Sequence, residues 1–170
     1  MGALELVYEG GGLKVEALSV DHTPVEPAVG YLFTYKGRTL LITGDTTKQE
    51  NIQKFSEGID LLVHEALAPN LIMMMHEAAN KTGNKIMAKI FVDIPDYHAS
   101  PVEAAETARD AGVGHLLYYH IVPPLVVPGQ EALWLNGAGE IFPDYTVGQD
   151  GVSFSLPANS DEIILTRKSL

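Results

Sequence analysis

Cysteine is absent from the 170 residues, which excludes disulfides, a thiol nucleophile and any thiolate metal site. A metal would have to be held by His, Asp and Glu, a ligand set that suits zinc, manganese or iron. Basic charge is scarce as well. Eleven Lys and Arg face twenty-two Asp and Glu, for a net charge of −11, and the cations are scattered. Such a chain repels phosphate backbones, so nucleic acid reads as a poor partner. Long apolar runs are missing. The uncharged stretch Leu116–Gln130 carries Pro123, Pro124 and Pro128 and is shorter than a membrane span. The opening MGALELVYEGGG lacks the basic-then-apolar pattern of a signal peptide. The expectation is a soluble, cytoplasmic protein with no membrane partner. Two catalytic motifs are absent too: no G-x-S-x-G elbow for a serine hydrolase, and no G-x-x-x-x-G-K phosphate loop.

What is present reads as one domain over residues 1–170. Hydrophobic content is 46% and charged content 19%, ordinary for a globular protein, with no repeats and no linker. Strands are expected at Leu4–Tyr8, Leu13–Val20, Val29–Tyr35 and Thr39–Thr43, the last two joined by a Lys36-Gly37 turn. Lys48–Phe55 reads as a helix ended by Gly58, and Ile59–Val63 as a buried strand that stops before His64-Glu65. A helix over Leu71–Ala79 carries Met73, Met74 and Met75, a run that suits flexible packing or a contact surface. The segment Ala66–Tyr97 is otherwise hard to read. Ser100-Pro101-Val102-Glu103 is a capping-box start for a helix to Ala111, closed by Gly112. His115–Tyr119 reads as a strand ending at His120. Farther on, Glu131–Leu135 suits a helical turn, and Tyr145–Val147 and Val152–Leu156 flank a hairpin signal at Gly148–Gly151. A terminal strand is expected over Ile163–Thr166.

Four places share one grammar, in which an apolar strand runs out and a metal-capable side chain follows: His22, Asp45, His64 and His120. His98 adds a fifth at the start of a helix, whereas His76 and His115 do not fit. Any one of these has an ordinary explanation. A lone His at a strand end is more often hydrogen-bonded structure than a ligand, and Asp45 after Gly44 can cap a helix starting at Thr46. Their repetition outweighs the single cases, because imidazole and carboxylate gathered at the C-terminal edge of a sheet are what zinc and similar ions require.

The segments VDHTPVEPAVGYLF, LLITGDT, DLLVHEA and YHASPVEAAETARDAGVGHLLYYH resemble the metallo-β-lactamase superfamily, in particular its ribonuclease Z-like branch. The resemblance covers about Leu13 to His120. It implies an α/β (α+β) fold: the C-terminal half of a metallo-β-lactamase-type αββα sandwich, a mixed sheet with helices on one face. It also implies metal ligands at His22, Asp45 and His120, with Asp45 bridging two ions, zinc first and manganese or iron as alternatives. His64-Glu65-Ala66 and His98-Ala99-Ser100 match the branch's paired motifs, making His98, Glu65 and His64 the candidate catalytic group, His98 for proton transfer.

Two departures shape the functional expectation. The superfamily's His-x-His-x-Asp-His signature occurs nowhere in the chain, so most ligands of a two-ion site are not supplied by it. The remaining ligands would come from a longer natural protein or a partner chain. His22 and Asp45 are also only 23 residues apart, which leaves room for a hairpin but not for the arm with which tRNA-processing members grip their substrate. The expected function is therefore metal-dependent hydrolysis of a small phosphodiester, sulfate ester or other ester, with tRNA processing disfavoured. The alternatives are a non-catalytic binding or assembly protein that keeps half the fold, and a metal-free module for a small ligand, which no motif supports. Under the first two readings an uncovered sheet face predicts homo-oligomerisation or association with the other half.

Overall fold

The computed structural model describes residues 3–167. Four antiparallel strands open the chain: β1 (Glu5–Gly10), β2 (Leu13–Val20), β3 (Ala28–Tyr35) and β4 (Arg38–Ile42). Lys36 and Gly37 both have positive φ, the requirement of the tight turn that matches strand twist. Helix α1 (Glu50–Phe55) then crosses over to β5 (Leu61–Leu67), which lies parallel to β4. A long excursion follows: α2 (Pro69–Lys81), α3 (Lys85–Asp93), a 3-10 turn (Ile94–Tyr97) and α4 (Pro101–Ala111). It returns to β6 (His115–Val122), parallel to β5. The short helices α5 (Gln130–Leu135) and α6 (Ala138–Ile141) lead to β7 (Tyr145–Val147), parallel to β6. The seven strands lie in chain order in one mixed sheet, and β8 (Val152–Ser155) pairs with β9 (Ile164–Arg167) separately.

The helices cover one face, as the resemblance implies. Leu18, Leu41, Leu62, Leu116 and Tyr118 project from that face and pack with Ile52 of α1, Ala104, Ala105 and Ala108 of α4, and Trp134 of α5. Alanines along α4 let the helix sit close to the sheet. Both large polar aromatics find partners there: the Tyr118 hydroxyl donates to Pro101 O (2.8 Å), and Trp134 Nε1 donates to Val122 O (3.0 Å). Alternation sends Tyr31, Phe33, Leu40, Ile42, Leu117 and Tyr119 to the other face. Tyr31 is 38% exposed there, and the rest are half-buried. The β8–β9 hairpin covers one end of that face, where Phe154 meets His115 with ring centres 5.3 Å apart.

The capping box of α4 forms as expected. Ser100 Oγ accepts from Glu103 N (3.2 Å), and Glu103 Oε2 accepts from Ser100 N (2.8 Å). Three expectations change. Tyr145–Val147 and Val152–Ser155 do not form a hairpin: β7 joins β6 in the main sheet and β8 turns to β9. The helix after Asp45 begins only at Glu50 with Gln49 at its N-cap, so Asp45 does not cap it. Finally, β5 does not stop at Val63 but runs through His64 and Glu65 to Leu67, buried throughout. No helix among the described residues is long and apolar enough to cross a membrane.

Candidate metal centre

Strands β2, β4, β5 and β6 run in the same direction, so their C-terminal ends share one edge of the sheet. His22 follows β2 and Asp45 follows β4. Thr47 N donates to Asp21 O (2.9 Å), which ties these two loops together. Gly30 permits the approach from below, because a Cβ there would stand 2.8 Å from Thr43 O and 2.9 Å from Ile42 O. His120 lies within β6 at an irregularity of the β5–β6 pairing, where Glu65 faces Tyr119 and Ala66 faces Ile121. Its φ of 43° is the left-handed conformation, uncommon for His. The bulge takes His120 out of strand alternation and turns it toward Asp45.

Five of the six expected site residues, His22, Asp45, Glu65, His98 and His120, converge there. His120 Nε2 is 3.6 Å from Asp45 Oδ2. His98 stacks on His120 with ring centres 5.7 Å apart, and His22 meets His98 edge-on at 4.9 Å. Glu65 is fully buried beneath them. Its Oε1 accepts from Thr46 N (3.2 Å) and Ala99 N (3.0 Å), while Oε2 lies 3.2 Å from His98 Nδ1. Burial works to lower the His98 pKa, but the close Glu65 carboxylate, with Asp45 adding, holds it above its ordinary value.

His64 is separated from this group. It occupies the position next to Glu65 in a strand and therefore faces the opposite way, level with Tyr118 in the helix-side core. It is fully buried, its Nδ1 is 2.7 Å from Glu65 O, and its Nε2 has no partner among the described residues. Burial pushes its pKa down, so the ring is neutral in the folded chain. Below about pH 6.5 the unfolded chain takes up this proton and the folded chain does not, so acidification toward the folded value costs stability. His64→Leu is expected to lose about 1–3 kcal/mol at neutral pH by stranding the Glu65 carbonyl. That deficit should shrink at acid pH, and metal affinity should stay unchanged. Denaturant melts at neutral and acid pH, with a zinc titration, check this.

Two tyrosines belong to the site without any signal in the sequence. Tyr97 touches both His22 and His98. Tyr119 sits beside Asp45, and its phenol is pushed up to about 12 by burial first, then by the charges of Asp45 and Glu65, against a hydrogen bond with Thr43. His76 and His115 serve structure. His76 bonds Ala88 O and Asn80, and His115 bonds Thr146.

The donor chemistry fits a metal, but only in part. Two ligands of one tetrahedral zinc stand about 3.4 Å apart, given bonds near 2.0–2.1 Å, and the His120–Asp45 pair is close to that spacing. His22 Nδ1 is bonded to the Tyr97 carbonyl, as a ligating imidazole's far nitrogen should be. Yet among the described residues no three His, Asp or Glu side chains stand close enough together to enclose an ion.

The mixed sheet covered by helices and this edge of imidazoles and carboxylates define a metallo-β-lactamase fold. A family profile described as "Beta-lactamase superfamily domain" matches residues 2–121, and the chain belongs to that family. The "Ribonuclease Z" of Mycobacterium sp. (strain KMS) is 31% identical over 138 residues, covering 81% of this chain and 44% of that protein. A "Putative ribonuclease Z" from Mycobacterium tuberculosis (strain CDC 1551 / Oshkosh) is 32% identical over 127 residues, 75% of this chain and 51% of that protein. The chain thus spans about half the length of these relatives. The metallo-beta-lactamase fold protein YhfI from Bacillus subtilis superposes with a TM-score of 0.58 at 23% identity, over 83% of this chain and 48% of that one. Zn2+-bound PqqB from Methylobacterium extorquens gives a TM-score of 0.54 at 17% identity, over 89% and 50%. These two likenesses concern the fold alone.

Proposed function

We propose that this chain is one domain carrying the Asp45–His120 side of a metal-dependent phosphodiesterase that cleaves RNA. The convergence of His22, Asp45, His98 and His120 at one sheet edge, with Glu65 buried beneath His98, carries the hydrolase reading. The relatives' name, ribonuclease Z, draws the substrate from the small ester expected on charge alone toward RNA. The expectation that nucleic acid is a poor partner gives way to that name. Zinc, or manganese or iron, would be held by Asp45 and His120, with His22 the expected third ligand once the site closes, and would supply a water of lowered pKa as the nucleophile. His98, its pKa raised by its partner Glu65, is placed to give a proton to the leaving oxygen. The remaining ligands would come from outside this chain's residues, and the apolar sheet face of Tyr31, Phe33, Ile42 and Leu117 would seat that supporting layer or a second copy.

A second reading keeps the hydrolase and exchanges the substrate for a small phosphodiester. It is favoured by the turn at Lys36-Gly37, which joins β3 directly to β4 with no arm between, and by the net charge of −11. One experiment separates the readings. The purified chain is loaded with zinc or manganese, its metal content measured, and cleavage of a 3′-extended structured RNA compared with that of bis(p-nitrophenyl) phosphate. Bound metal with RNA cleavage that His120→Ala abolishes supports the proposal. Cleavage of the small diester alone supports the second reading. Neither metal nor cleavage leaves the non-catalytic, assembly role.

A further inference from the structure

The 29-residue excursion Pro69–Tyr97 lies between the end of β5 and His98, and its last residue reaches back to the loop after β2. His22 Nδ1 is 2.9 Å from the carbonyl of Tyr97, a contact spanning 75 residues of sequence. A carbonyl oxygen only accepts, so this contact requires the proton on Nδ1 and leaves the Nε2 lone pair free. The Tyr97 ring stands edge-on to His22, with centres 5.2 Å apart and planes at 85°. It also lies against His98 at 5.3 Å and 47°. His22 and His98 themselves meet at 4.9 Å, so the three rings touch pairwise. The 3-10 turn Ile94–Tyr97, continuous with α3, delivers Tyr97 to this place.

We propose that Tyr97 is a positioning residue of the site: its carbonyl sets the tautomer of His22, and its ring packs against both His22 and His98 and fixes the angle between them. The excursion then has a definite task. It presents His22 to a metal through Nε2 and holds His98 over Glu65, without itself touching an ion or substrate. The metal-binding consequence rests on the hydrolase reading above; the tautomer does not. Edge-to-face aromatic pairs stabilise the arrangement modestly, but orientation is what a ligating imidazole needs from its surroundings.

The test compares the wild-type chain with Tyr97→Phe, Tyr97→Leu and Tyr97→Met, each first checked for a cooperative melt. Long-range 1H–15N spectra of the imidazoles, recorded without metal at alkaline pH, report the tautomer of His22 directly. Wild type and all three variants should show His22 protonated on Nδ1, because each keeps the backbone carbonyl at position 97. In a zinc competition titration the Leu and Met variants should bind about 10–100-fold more weakly than wild type, with Phe close to wild type. Finding His22 protonated on Nε2 in the wild-type chain overturns the proposal whatever the variants do. So does a zinc affinity equal to that of wild type in folded Tyr97→Leu or Tyr97→Met, which keep the carbonyl and lose the ring. A chain that binds no zinc but shows the expected tautomers refutes the hydrolase reading and leaves the positioning role standing.

Discussion

Glu65→Ala is expected to cost about 3–5 kcal/mol of folding stability, the range seen when one member of a buried, hydrogen-bonded charge pair is removed. Glu65 is fully buried, and it serves three groups at once. Without it, the backbone N–H groups of Thr46 and Ala99 are left in the interior with no acceptor, and His98 loses its carboxylate. For a domain whose total stability is about 5–15 kcal/mol, that loss brings it near unfolding. Glu65→Gln keeps an oxygen for both N–H groups and removes only the charge, so about 1–2 kcal/mol is expected. The pH dependence follows from His98. Its folded pKa is held above the ordinary value, so the stability gained through protonation is fully present below about pH 6.5 and lost as pH rises through the folded value. The gap between wild type and Glu65→Ala should therefore be wider at mildly acid pH than at alkaline pH. Urea melts at the two pH values measure it. A cost below about 1 kcal/mol for the Ala variant would show that water reaches the two N–H groups and that Glu65 is not the brace described here.

Strands and the α4 helix were legible because their signals are local. Lys36-Gly37 supplies two positive-φ residues at a turn, and Ser100-Pro101-Val102-Glu103 supplies a complete capping box. The site was legible as a set of residues, and less so as an arrangement. His64 and Glu65 read as a pair after a strand, but the strand continues through them and alternation sends them to opposite faces. One carboxylate with three partners holds the site, while its neighbour becomes core. The hairpin signal at Gly148–Gly151 failed for a different reason. A turn sequence says nothing about which distant strand competes for pairing, and β7 found β6 in the main sheet. The segment Ala66–Tyr97 gave no functional sign because the contact that matters, Tyr97 to His22, joins residues far apart in sequence through a backbone carbonyl, which any residue type would carry.

Asp45→Asn separates the metal reading from every structural one. Asp45 caps no helix, its side chain is 37% exposed, and among the described residues its one ionic contact is the 3.6 Å approach of His120. If it were only a loop residue, the amide would change stability by no more than about 0.5 kcal/mol and change nothing else. As a ligand, its loss removes the anionic donor of a set that contains only two further imidazoles. Zinc or manganese affinity should then fall by about 100-fold or more, above the 10–100-fold typical of losing an outer partner of a ligand. Hydrolysis should disappear with it. The melt should stay within that 0.5 kcal/mol, because the Gly44 turn and the Thr46–Glu65 bond that position the loop are untouched. Combining Asp45→Asn with His120→Ala sharpens the test. Two ligands of one ion are not independent, so the double variant should bind hardly more weakly than either single one, whereas two unrelated surface residues would add their effects. Additive losses would mean that Asp45 and His120 do not share an ion, and the 3.6 Å between them would be an ordinary surface contact of a carboxylate and an imidazole.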